Sequence, residues 1–169
     1  MLETIGTFRS LKLVFALGAA LALAACASDK AANGVGDMAG LGGAGAATPG
    51  SAQDFSTNVG DRVLFESDSS ELTSTSTATL DKQAQWLNQY GSYKILVEGH
   101  ADERGTREYN FALGQRRAQT TRDYLVSKGV SASRLSTKSW GKEKPVAVCD
   151  DISCWSQNRR AVTTLTGGN

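Results

Sequence analysis

The sequence has little of the chemistry on which hydrolases and nucleic-acid-binding proteins depend. It contains a single histidine, His100, and its formal net charge is only +1. Because nucleic-acid binding relies on Lys and Arg that neutralise phosphates, a nearly neutral chain without a basic stripe does not support that function. No Gly-x-Ser-x-Gly motif is present, and His100 has no second histidine to replace it in a catalytic triad. The sequence therefore predicts a binding protein that is not an enzyme and has no cofactor.

The N-terminus lacks an apolar run long enough to cross a bilayer. Its short apolar run, residues 13–22, follows two basic residues and ends in Leu-Ala-Ala before Cys26. This order is typical of a secretory signal peptide, here residues 1–25. A cysteine directly after Leu-Ala-Ala resembles the lipobox of bacterial lipoproteins, which implies cleavage before Cys26 and its acylation. By resemblance to lipoprotein sorting signals, in which an Asp at this position favours the inner membrane, Ala27 implies an outer-membrane anchor. An ordinary signal peptide with a chance cysteine is the alternative.

Residues 26–53 consist mostly of Ala, Gly and small polar residues. Such a composition cannot bury enough apolar surface to offset the entropy of the chain. We therefore predict that the lipidated cysteine is followed by a flexible tether. Removal of residues 1–25 with Glu3, Arg9 and Lys12 leaves 16 basic and 16 acidic residues, so the mature chain is neutral.

Only three cysteines are present, and assigning Cys26 to lipid leaves Cys149 and Cys154 as a pair. In an oxidising periplasm this pair predicts a disulfide that closes a short loop. Metal binding is the alternative, but two thiols with no neighbouring histidine make an incomplete zinc site.

Residues 54–169 are predicted to form the folded domain. Runs of strand-forming residues bounded by glycine predict strands, and apolar residues at helical spacing predict helices. The predicted strands cover residues 62–65, 93–98, 134–139 and 159–166, and the predicted helices cover residues 73–90 and 107–128. This order predicts an α/β or α+β sandwich with the helices on one face of the sheet.

The second predicted helix carries small residues on one face. Gly114, Ala118 and Thr121 lie on one stripe, which Leu125 continues. Small side chains let backbones approach, so we expect this helix to pack close to the sheet.

A charged loop joins the second predicted strand to this helix. Loops at strand-to-helix junctions are where such folds present ligand-binding groups. Asp102 offers a carboxylate, and Arg104 and Arg117 offer guanidinium groups that match a carboxylate of a ligand. Leu113 lies one helical turn from Arg117 and could form an apolar wall beside it. These groups suit a zwitterionic diamino acid better than a phosphate.

Five motifs follow one another along the domain. They are Gly-His-Ala-Asp-Glu-Arg-Gly (99–105), Glu-Tyr-Asn (108–110), Gln-Arg-Arg-Ala (115–118), Gly-Lys-Glu-Lys-Pro (141–145) and Ser-Gln-Asn-Arg-Arg (156–160). The set resembles the OmpA-like domain shared by the peptidoglycan-associated lipoprotein (Pal) family and the C-terminal part of outer-membrane protein A. The likeness covers about residues 60–167.

This resemblance implies an OmpA-like βαβαββ fold that binds peptidoglycan through the meso-diaminopimelate of its stem peptide. It assigns Asp102 to the ammonium group of the diaminopimelate and Arg117 to its carboxylate. Arg104 adds a second cationic contact in this assignment. The implied ligand-binding set is Ser67, Asp68, Asp102, Arg104, Leu113 and Arg117, in which Ser67 and Asp68 close the pocket and Leu113 forms a wall.

The resemblance also implies an outer-membrane lipoprotein whose domain faces the periplasm and engages TolB of the Tol-Pal system. Four alternatives stay open. The protein could serve an envelope machine other than Tol, or be a wall hydrolase that uses His100 and nearby carboxylates. Asp102 and Arg117 could form a structural ion pair, and Glu98, His100 and Asp102 could hold a metal.

Overall fold

The structure, a computed structural model, describes residues 47–168. The predicted signal peptide (1–25), the predicted lipidation at Cys26 and most of the predicted tether (26–53) lie outside the described residues. Within residues 47–168, no helix combines the length and apolar character needed to cross a membrane.

Four strands form one mixed sheet, as the sequence predicts. They are β1 (Arg62–Leu64), β2 (Lys94–His100), β3 (Leu135–Gly141) and β4 (Arg160–Thr166). Their order across the sheet is β1-β4-β2-β3. Strand β2 runs parallel to β3 and antiparallel to β4, and β4 runs antiparallel to β1. The last strand of the chain therefore lies between the first two.

The helices are α1 (Ala52–Asp54), α2 (Ser74–Gln89), α3 (Arg107–Ser127) and α4 (Ile152–Asn158). The two long helices, α2 and α3, are those that the sequence predicts, and α3 packs on β2 and β3 while α2 packs on β1. Thr73 and Thr106 cap them, because each threonine side chain accepts a hydrogen bond from the backbone amide three residues later. The predicted α+β sandwich with its βαβαββ order of main elements is confirmed.

Helix α3 lies against β2 through two glycines. A Cβ atom on Gly99 would overlap the carbonyl oxygen of Gly114, and a Cβ atom on Gly114 would lie 2.5 Å from Ser139 Oγ. Ala118 and Thr121, further along the same stripe, are fully buried. The predicted close approach of this helix to the sheet is therefore confirmed, and it fixes the start of α3 against the end of β2.

The N-terminal segment also packs on the domain. Helix α1 continues as a π-helical turn, Phe55–Gly60. The Asp54 carboxylate accepts a hydrogen bond from Trp86 Nε1 at 2.8 Å, and the buried Phe55 ring lies 5.0 Å from the Trp86 ring. Asp54 and Phe55, at the predicted start of the domain, therefore pack on α2.

A hydrogen bond also attaches the N-terminal segment to the domain at one end of β2. The Tyr93 hydroxyl donates a hydrogen bond of 2.8 Å to the carbonyl oxygen of Gly50. Because Tyr93 immediately precedes β2, the chain joins the domain beside the first residue of this central strand.

Helix α4 is an element that the sequence analysis did not predict. It has seven residues, too few for a clear periodic pattern and too few for an isolated helix to be stable. Asp151 caps it, because its side chain accepts a hydrogen bond of 2.7 Å from Ser153 N. The predicted disulfide between Cys149 and Cys154 is confirmed and joins the helix to the loop before it. Closing so short a loop contributes roughly 2 kcal/mol in the chain-entropy picture.

Candidate ligand-binding site

A pocket of about 260 Å³ lies where β2 ends and α3 begins. Its position is set by the close packing of α3 on β2, which brings the loop after β2 beside the first turns of the helix. The pocket is lined by Ser67, Asp68, Asp102, Arg104, Gly105, Tyr109, Asn110, Leu113 and Arg117. All six residues that the sequence predicts as ligand contacts therefore line one pocket.

Asp102 is a buried carboxylate held by two arginines. Arg104 donates to it from Nη2 at 2.6 Å and from Nε at 3.1 Å, and Arg159 Nη1 lies 3.4 Å from the same carboxylate. Burial alone would raise the pKa of Asp102, but the hydrogen bonds and charge of Arg104, with those of Arg159, hold this pKa below its usual value. Asp102 is therefore ionised at neutral pH.

Arg117 is fully buried and joins three segments of backbone. It donates to the carbonyl oxygens of Ser69 at 2.8 Å, His100 at 2.8 Å and Glu66 at 3.0 Å. These bonds use three of its five N–H groups, which leaves two without a partner in the described part of the chain. Burial lowers the pKa of Arg117 to about 10, so the side chain stays cationic at neutral pH.

The loop after β1 forms the other side of the pocket. Arg104 Nη2 donates a hydrogen bond of 2.9 Å to Ser67 Oγ, and the Tyr109 hydroxyl donates to the Asp68 carboxylate. Asp68 has a φ of 56°, in the left-handed region that aspartate tolerates better than most residues. Two side-chain bonds thus connect this loop to the loop after β2 and to α3.

Asp102 and Arg117 do not pair with each other in the described structure. The partners of Asp102 are Arg104 and Arg159, and those of Arg117 are backbone carbonyl oxygens. The described residues therefore do not form the alternative structural ion pair between Asp102 and Arg117. Both groups instead line the pocket, in which the exposed cation of Arg104 bonds both Asp102 and Ser67.

Three further residues contribute that the sequence analysis did not single out. Tyr109 and Asn110 line the pocket, and the Asn110 amide donates to the Arg104 carbonyl oxygen at 2.7 Å. Arg159 reaches Asp102 from the end of α4. Tyr109 and Asn110 stand in the Glu-Tyr-Asn motif and Arg159 stands in the Ser-Gln-Asn-Arg-Arg motif, so the motifs point to all three residues. The pairing of Arg159 with Asp102, 57 residues away, follows from no local spacing.

Glu98 and Cys149, which belong to the metal and hydrolase alternatives, already have other partners. Glu98 accepts hydrogen bonds from Trp140 Nε1 at 2.7 Å and Thr164 Oγ1 at 3.3 Å, and the Cys149 thiol is oxidised in the disulfide. His100 is buried. In residues 47–168 no three His, Cys, Asp or Glu side chains group together as a metal site would require.

His100 should make the folding stability depend on pH. Burial, with the charge of Arg160, lowers its pKa to about 4, whereas an exposed histidine has a value near 6.5. Between these pH values the unfolded chain binds a proton that the folded chain does not. Stability from this group is therefore complete above pH 6.5, and about 3 kcal/mol is lost as the pH falls to 4.

Urea unfolding of wild-type protein and His100→Asn from pH 7.5 to pH 4 measures this effect. The difference between the unfolding free energies of the two proteins should change by about 3 kcal/mol between pH 6.5 and pH 4, because every other titrating group is present in both. A difference that stays constant with pH would contradict the prediction.

Comparison with known proteins agrees with this fold. A model described as the OmpA family matches residues 64–159. The chain is 68% identical to a peptidoglycan-associated lipoprotein of Mesorhizobium japonicum over 92% of both chains, and 42% identical to that of Haemophilus influenzae over 89% of this chain and 95% of the relative.

A solved structure shows the same similarity. The crystal structure of the peptidoglycan-associated lipoprotein from Burkholderia pseudomallei has a TM-score of 0.64 and 39% identity, and the match covers 68% of this chain and 98% of that one. The chain therefore belongs to the OmpA family and, within that family, to the peptidoglycan-associated lipoproteins.

Proposed function

We propose that this protein binds peptidoglycan non-covalently through the meso-diaminopimelate of the stem peptide and so holds the outer membrane to the cell wall. One observation carries the proposal: an ionised buried carboxylate, a buried guanidinium and an apolar wall line the same small pocket. The printed names of the relatives, peptidoglycan-associated lipoproteins, support the class of ligand.

The pocket matches the amino-acid end of a diaminopimelate side chain. In our proposal its ammonium group binds the Asp102 carboxylate, and its carboxylate accepts hydrogen bonds from the two remaining N–H groups of Arg117. Arg104 adds a second cationic contact, and Leu113 packs on the methylene stem. Ser67 and Asp68 close the pocket from the loop after β1.

The proposed membrane end of the link is Cys26. After cleavage of residues 1–25, acyl chains on Cys26 would hold the protein in the outer membrane, since each buried CH₂ contributes roughly 0.8 kcal/mol and two chains give durable anchorage. Residues 26–53 would form the tether, and residues 54–169 the peptidoglycan-binding domain in the periplasm. The relatives named as lipoproteins support this arrangement.

We also propose that the protein acts in the Tol-Pal system, in envelope integrity and in outer-membrane constriction at cell division, with TolB as a partner. Family resemblance supports this assignment. An OmpA-family lipoprotein that serves another envelope machine is the alternative. In either role we propose no enzymatic step, because the Glu98 carboxylate is engaged by Trp140 and Thr164, and the pKa of His100 is too low for a base at neutral pH.

Asp102→Asn tests the proposal. The substitution keeps the size of the side chain but removes the charge that pairs with the ligand ammonium, so the affinity for peptidoglycan should fall about a hundredfold. Co-sedimentation with purified sacculi measures the loss, and the unbound fraction can be assayed for released soluble fragments, of which we expect none.

Asp123→Asn is the matched control, since Asp123 is an exposed aspartate that pairs with Arg122 on α3 outside the pocket. The control should sediment as wild type does. Circular dichroism should show that both variants are folded. Unchanged sedimentation of a folded Asp102→Asn variant would overturn the site assignment.

A further inference from the structure

The guanidinium group of Arg104 lies between the Asp102 carboxylate and the ring of Trp155. Its Cζ atom is 4.3 Å from the centre of the ring, and its Nη2 and Nε atoms donate to Asp102. Cations are attracted to the face of an indole ring. Its Nη2 atom also donates to Ser67 Oγ, so Arg104 has three partners, of which Trp155 alone is not a proposed ligand contact.

The position of the Trp155 ring is set without Arg104. Trp155 belongs to α4, where the preceding residue, Cys154, forms the disulfide, and Asp151 caps the helix. The indole Nε1 also donates a hydrogen bond to the Glu103 carboxylate. The ring is thus held in place beside Arg104, whose own side chain lines the pocket and is 43% exposed.

Arg104 and a ligand ammonium group compete for the same carboxylate. In the described structure, Arg104 engages both oxygen atoms of Asp102. An ammonium group that binds Asp102 must weaken these bonds. The freed guanidinium would then keep one hydrogen bond, from Nη2 to Ser67 Oγ, and the face of the Trp155 ring would be its other attractive partner.

We infer that Trp155 is a positioning residue for ligand binding, which holds the Arg104 guanidinium at the pocket rim when a ligand ammonium group displaces it from Asp102. Arg104 then lies beside the ligand and meets its carboxylate. This role rests on the proposed function of the pocket, and it makes α4 and its disulfide part of the binding site.

A double-mutant cycle tests the inference, with the tripeptide L-Ala-γ-D-Glu-meso-diaminopimelate as probe and calorimetry as the measurement. Trp155→Leu should weaken binding about fivefold, the loss expected for a partly exposed cation–π contact. Trp155→Phe keeps an aromatic face and should bind within about twofold of wild type. In an Arg104→Ala background, Trp155→Leu should cause no further loss.

Trp140→Leu is the matched control. Trp140 also packs against cations, Lys138 and Lys144, but it lies outside this pocket and should not affect affinity. Unfolding of the same variants without the probe should show that Trp155→Leu costs less stability when Arg104 is already absent.

The outcomes distinguish failure of the proposed function from failure of the proposed role of Trp155. If wild-type protein does not bind the tripeptide, the proposed function fails, and this role of Trp155 fails with it. If wild-type protein binds but Trp155→Leu weakens binding equally with and without Arg104, only the role of Trp155 is overturned. Binding by Trp155→Leu equal to that of wild type would overturn it as well.

Discussion

Arg117→Ala should lower the free energy of unfolding by about 4 kcal/mol and remove peptidoglycan binding. The reason is that Arg117 is fully buried and donates to the carbonyl oxygens of Glu66, Ser69 and His100. Its loss leaves a cavity and detaches the loop after β1 from the end of β2. Urea unfolding measures the first effect, and co-sedimentation with sacculi measures the second.

Arg116→Ala is the control for this substitution. Arg116 is the preceding residue of the same helix, but its side chain is exposed, so the change should stay within about 0.5 kcal/mol. Arg117→Lys keeps the charge but offers one ammonium group for three separated carbonyl oxygens, so it should recover little of the stability. An Arg117→Ala variant as stable as wild type would show that the three hydrogen bonds do not hold the loop.

Gly99→Ala should cost about 3 kcal/mol or more of unfolding free energy. The added methyl group would overlap the Gly114 carbonyl group and press on Ala118 N, and neither backbone atom can move without moving α3. Because α3 carries Leu113 and Arg117 while β2 leads into Asp102, separation of the two elements should also widen the pocket and weaken binding.

Gly91→Ala is the matched control, since no atom lies within 4 Å of a Cβ at that position. Thermal and urea unfolding should show this variant to be at least as stable as wild type, because alanine restricts the unfolded chain. Equal stability of Gly99→Ala and Gly91→Ala would contradict the close packing of α3 on β2.

The main elements could be predicted because each has a strong local pattern. Leu80, Ala84 and Leu87 give α2 a buried face at helical spacing, and the small-residue stripe of α3 predicted its contact with the sheet. Helix α4 has no such pattern and depends on a cap and a disulfide. The order of the strands across the sheet depends on long-range pairing, which no local pattern encodes.

The sequence predicted six of the nine residues that line the pocket, but not the hydrogen bonds that hold them in place. The motif resemblance placed Asp102, Arg104 and Arg117 in one site, and the structure brings them together. The sequence does not show that Arg117 bonds three carbonyl oxygens, because backbone groups leave no mark in a side-chain pattern. It also does not show the contacts of Arg159 with Asp102 and of Trp155 with Arg104, since these partners are far apart along the chain.

The attachment of Gly50 to Tyr93 has a mechanical consequence. The chain from the proposed anchor joins the domain beside the first residue of β2, whereas Asp102 follows its last residue, His100. Tension between membrane and wall would thus act along this seven-residue strand, a length of roughly 23 Å. Between these two points the covalent backbone of β2 carries the load, and its hydrogen bonds to β3 and β4 lie across the direction of pull. In the proposed role, the ionic contacts of the pocket would therefore yield under tension before the domain unfolds.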